Sequence, residues 1–76
     1  MKSDKDIVDE ILALNRYQST LRRTRGRLAG GADYAGRKSL SVDIRNNQRD
    51  IATRQDILRK RGHVIPEGKV VPETVL

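Results

Sequence analysis

Apolar residues recur through the first third of the chain at Ile7, Ile11, Leu14, Leu21 and Leu28, in steps of four, three, seven and seven. That spacing keeps one face of an α-helix apolar and predicts a helix over residues 3 to about 29. Ser3 with Asp6 three positions on has the form of a capping box, and Asp4, Asp6, Asp9 and Glu10 put negative charge at the positive end of the helix dipole. Arg22, Arg23, Arg25 and Arg27 stand at the opposite end, where cations are favoured. Gly26 weakens the last turns, and the Gly30-Gly31 pair ends the helix.

A second stripe, Leu40, Ile44, Ile51 and Leu58 with Ile57 on its flank, predicts a helix over residues 41–61. Ser41 is its expected N-cap, and Arg59, Lys60 and Arg61 precede Gly62, a C-terminal glycine. A short connection makes two such helices antiparallel neighbours. The connection, residues 30–39, reads either as a plain loop or as a very short β-hairpin turning at Gly36. Both seams are thin and carry polar residues: Gln18 and Arg25 on the first, Asn47 and Arg54 on the second. These either edge a narrow stripe or specify register, and the interrupted seams call for neighbouring subunits to cover them.

After Gly62 the periodicity stops, and Val64-Ile65-Pro66-Glu67-Gly68-Lys69 is followed by Val70-Val71-Pro72-Glu73-Thr74-Val75. Two prolines six apart forbid a helix and favour an extended chain. Val64, Ile65, Val70, Val71 and Leu76 make this arm too apolar for a solvated tail, so its expected place is a groove on another subunit. The fold class is thus mainly α: an antiparallel two-helix hairpin over residues 1–62, with an extended docking arm over residues 63–76.

Composition narrows the choice of chemistry. The chain has 76 residues, no Cys, Phe or Trp, and no apolar run long enough for a membrane span, so it has no thiolate nucleophile and no cysteine-type zinc site. His63 is the only histidine and lacks a nucleophile and orienting carboxylate in its sequence neighbourhood; it is expected to cap the second helix. Carboxylates such as Asp50, four before Arg54, read as an ion-paired face. Residues 31–39, Gly-Ala-Asp-Tyr-Ala-Gly-Arg-Lys-Ser, come within one inserted residue of a phosphate-binding loop, but a basic helix precedes them where that loop needs a buried strand. No enzyme activity, cofactor or metal is expected.

The net charge of +6 is unevenly spread: residues 1–15 carry −2, residues 16–62 carry +9 and residues 63–76 carry −1. Eleven of the sixteen bases are Arg, whose fork suits phosphate or carboxylate. Arg16, Arg23 and Arg27 share a face of the first helix, Arg45 and Arg49 a face of the second, and Arg37 and Lys38 stand in the connection. Phosphate and the acidic residues of a partner are both candidate ligands. With only Tyr17 and Tyr34 to stack on bases, sequence-specific readout of nucleic acid is not expected.

Residues 5 to 62 resemble the gpW family of tailed-phage head-to-tail joining proteins. The resemblance rests on Ile7 to Leu21 as first helix, on Tyr34-Ala35-Gly36-Arg37-Lys38-Ser39-Leu40-Ser41 as a reduced Gly-Arg-Ser turn, and on Asp43-Ile44 opening the second helix. It implies a head-completion protein in the virion neck, made in the host cytoplasm, forming a homo-oligomeric ring or bundle beneath the portal and touching DNA without sequence preference. A dimeric non-specific nucleic-acid binder and a small inhibitor of a host protein are the alternatives.

Overall fold

The computed structural model describes residues 1–28 and 34–73. Two helices make up most of it, α1 (Asp4–Arg27) and α2 (Tyr34–Lys60), and the described residues include no strand. Ser3 has extended backbone and its Oγ accepts a hydrogen bond from the Asp6 amide at 3.2 Å, so the cap falls where the Ser3–Asp6 spacing puts it. α1 continues through Gly26 and closes at Leu28, whose amide donates to the Arg25 carbonyl at 3.1 Å.

α2 begins seven residues before the expected start. Ala35, Arg37, Lys38 and Leu40 are all good helix formers, and only Gly36 opposes them, so the helix extends back to Tyr34. Ser41 is therefore not an N-cap: from inside the helix its hydroxyl donates to the Arg37 carbonyl at 3.0 Å. Gly36 is helical, which removes the β-hairpin turn expected there; residues 29–33, the rest of the connection, lie outside the described residues. At the other end Gly62 takes φ 95°, with its amide on the Arg59 carbonyl at 3.0 Å and the His63 amide on the Leu58 carbonyl at 3.1 Å. This is a Schellman motif, and glycine suits it because the left-handed backbone excludes most side chains.

Cross-helix contacts fix the direction of packing. Arg61 reaches Asp4, Arg54 reaches Glu10, Asn47 reaches the Leu14 carbonyl, and Arg25 reaches Ser41, so the sequence separation shrinks steadily toward the connection. The helices are antiparallel and in one register. Ile7, Ile11, Leu21, Ile44, Ile51 and Leu58 are buried, Leu14 and Leu28 are half-buried, and Val8, on the flank of the stripe, is 1% exposed.

The arm corrects the reading of a segment held by another subunit. A turn closes where the Lys69 amide donates to the Pro66 carbonyl at 3.0 Å, with Gly68 at φ 80° in the position a type II turn reserves for glycine. It sends the chain back onto its own hairpin. Val71 joins Ile7, Val8, Ile11, Ile51 and Leu58 in one cluster, Val70 packs against it, and Pro72 is buried. Gln55 Nε2 secures the segment through the Val70 carbonyl at 3.0 Å. Val71 is thus buried against its own hairpin rather than in a partner's groove, and Val70 is half-buried there. Val64 remains 79% exposed, Ile65 is half-buried, and Leu76 lies outside the described residues.

Candidate nucleic-acid interface

Antiparallel packing brings the C-terminal half of α1 and the N-terminal half of α2 to the same end, here called the loop end. Residues 16–42 hold seven bases and a single acid, Asp33, which lies outside the described residues. α2 has no acid in its first turn, so the positive pole of its dipole adds to that charge.

The ion pairs among the described residues sit at the opposite end. Lys2 and Arg54 both hold Glu10, Lys5 holds Asp9, Arg59 holds Asp56, and Arg61 and His63 both hold Asp4. His63 does not cap α2 through its side chain; its Nε2 lies 2.6 Å from Asp4 Oδ2 and clips the helix end to the start of α1. Hydrogen bonds from Arg61, then His63, hold the Asp4 carboxyl below its ordinary value, and those from Lys2, then Arg54, do the same for Glu10. Arg54 pairs with Glu10 rather than with the Asp50 carboxylate expected from spacing; it reaches only the backbone carbonyl of Asp50.

At the loop end Arg16, Arg22, Arg23, Arg27, Lys38 and Arg45 are exposed and in no ion pair among the described residues. Arg49 is exposed, in no ion pair among the described residues, and its Nη2 donates to Asn46 Oδ1 at 3.4 Å. Arg25 turns toward α2 and donates to Ser41 Oγ at 3.5 Å. Arg37 is half-buried. With about 100° between successive residues, Arg16, Arg23 and Arg27 project from the side of α1 away from α2. Lys38, Arg45 and Arg49 project from the side of α2 away from α1. The two stripes therefore form a belt around the loop end, and no single flat patch contains both.

Arg22 falls off the seven-and-four spacing that joins Arg16, Arg23 and Arg27, so the sequence pattern does not mark it as a ligand. In the structure it is exposed like Arg23 and, like Arg23, pairs with no carboxylate among the described residues. Of the seam polars, Arg25, Asn47 and Arg54 bond across the hairpin. Asn47 is 4% exposed, its Nδ2 donates to the Leu14 carbonyl at 3.0 Å, and its Oδ1 is buried without a partner. The described residues contain no group of His, Cys, Asp and Glu placed to hold a metal, and no helix long and apolar enough to cross a membrane.

No protein-family model, curated protein or solved structure matches the chain.

Proposed function

We propose that the chain is a non-enzymatic binding protein that engages the phosphate backbone of nucleic acid through the loop end of its hairpin. One observation carries this reading: at the end away from the loop Lys2, Lys5, Arg54, Arg59 and Arg61 each hold an acid of the chain, while Arg16, Arg22, Arg23 and Arg27 at the loop end meet no carboxylate among the described residues. Arg16, Arg23 and Arg27 form a stripe about 16 Å long on α1, and a duplex presents one phosphate charge per ~1.7 Å of its axis. Such a stripe meets phosphates without selecting bases, and Arg provides the bidentate donors.

The head-completion role implied by the gpW resemblance is a setting for the same chemistry. A ring of such hairpins around a DNA channel meets phosphate where its arginines face the DNA. The helical course of residues 34–41 stands where that resemblance has a turn, so the arginine surface is the stronger support. The virion neck and a portal partner belong to this setting.

The reading is tested by titrating labelled duplexes of unrelated sequence at low and moderate salt. Equal affinities that fall together as salt rises are expected. Affinity that persists at high salt, or that favours one sequence, contradicts it.

A further inference from the structure

The arm covers one flank of the hairpin, and the other flank is open. Val71 packs beside Val8, and Gln55 on α2 holds Val70. On α2 Asp43, Asp50, Arg54 and Ile57, and in the turn that follows it Arg61, whose amide still donates to the Ile57 carbonyl at 3.2 Å, fall within an arc of about 60°, roughly 130° around the helix from Gln55. Ile57 is 38% exposed in this arc, and Tyr17, facing it from α1, is 55% exposed. Two shallow grooves lie along the same flank. One, of about 290 Å³, includes Ile7, Ile57 and Arg61, and the other, of about 240 Å³, is lined by Leu14, Tyr17, Asn47 and Asp50 among others.

The charges of this arc are self-complementary. Asp43 and Asp50 form no ion pair among the described residues, and Arg54 and Arg61 each keep Nη2 uncommitted after binding Glu10 and Asp4. An antiparallel crossing of two α2 helices with its two-fold axis at residue 52 places Asp50 opposite Arg54 and Asp43 opposite Arg61, four pairs in all. The same register sets Ile57 opposite Asn47, over the groove walled by Leu14 and Tyr17. Charge and shape thus fix one register independently.

We infer that this open flank is the interface of a two-fold symmetric dimer, its occupant a second copy of this chain docked antiparallel through α2. The isologous arrangement uses each patch twice and closes on itself. It leaves the arginine belt clear: the two loop ends lie at opposite poles, about 54 Å apart along the α2 direction.

Sedimentation equilibrium of the full chain tests this directly. The wild type should dimerise, more tightly at low salt. Asp50→Lys and Arg54→Glu should each weaken self-association at least about tenfold, because each turns two attractive pairs repulsive. Mixing the two variants should restore dimers, since every crossed pair is then opposite in sign. Ile57→Glu, at a position the monomer leaves partly exposed, should weaken association as well. Circular dichroism checks that each variant stays helical; if Arg54→Glu does not, Asp50→Lys and Ile57→Glu decide the question. A wild type monomeric at all concentrations overturns the inference, as does a dimer indifferent to these substitutions or a mixture of folded variants that fails to associate.

Discussion

Gln55 on α2 donates from Nε2 to the Val70 carbonyl at 3.0 Å, tying the helix to a segment fifteen residues further along the chain. Beside that bond Val71, 8% exposed, completes the cluster formed by Val8, Ile11 and Leu58. The arm is a third layer of the fold. Val71→Ala should cost about 2 kcal/mol, from the methyl groups removed and the cavity they leave. Val71→Asp should cost about 3 kcal/mol or more, and a chain ending at Gly62 should melt roughly 10 °C lower. Thermal unfolding by circular dichroism measures all three; melting temperatures equal to the wild type contradict the packing.

The ends of the hairpin are easier to read from sequence than its middle. Ser3 with Asp6, and Gly62 after three bases, mark their boundaries through backbone chemistry that acts locally. The start of α2 is obscured because Gly36 and the Arg37-Lys38-Ser39 run resemble turn residues, while Ala35, Arg37, Lys38 and Leu40 together outweigh one glycine. The arm's apolar character is legible but not its target, which depends on a turn at Gly68 and a hydrogen bond from Gln55. The loop-end arginines are visible as a charge excess. Which of them lack acids is not, because ion pairing follows from the antiparallel register that joins Asp4 to Arg61 and Glu10 to Arg54.

Gly26 occupies an exposed position inside α1, and a Cβ built there meets nothing within 4 Å. Its left-handed freedom is unused, since only Gly62 and Gly68 take positive φ among the described glycines. Gly26→Ala should therefore stabilise the chain by about 0.5–1 kcal/mol through helix propensity and a less flexible unfolded state. Chemical denaturation would show a higher midpoint with an unchanged slope; a lower midpoint would mean that α1 does not run straight through this position.

Asp4 and Glu10 titrate below their ordinary values of 3.8 and 4.5 because hydrogen bonds from Arg61 and Lys2, followed by His63 and Arg54, favour the carboxylates. A carboxyl depressed in the folded state adds stability that is complete above its unfolded pKa and disappears as pH falls through the folded value. Urea midpoints should hold steady down to about pH 5 and then decline toward pH 2. In the Asp4→Asn, Glu10→Gln chain that decline should be shallower and the midpoint near neutral pH lower. An acid limb identical to the wild type would remove these clips from the account.

In the proposed function the loop-end arginines meet phosphate, while Lys2, Lys5, Arg54, Arg59 and Arg61 at the opposite, open end hold acids of the fold. The most direct measurement is the slope of log affinity against log salt for a duplex of arbitrary sequence. Replacing Arg16, Arg23 and Arg27 by Gln should lower that slope by about 0.9 for each phosphate no longer neutralised, or ~2.7 in all. Replacing Lys5 and Arg59, which pair with Asp9 and Asp56, should leave it nearly unchanged. An unaltered slope in the triple variant, or an equal fall in the open-end variant, would contradict the account.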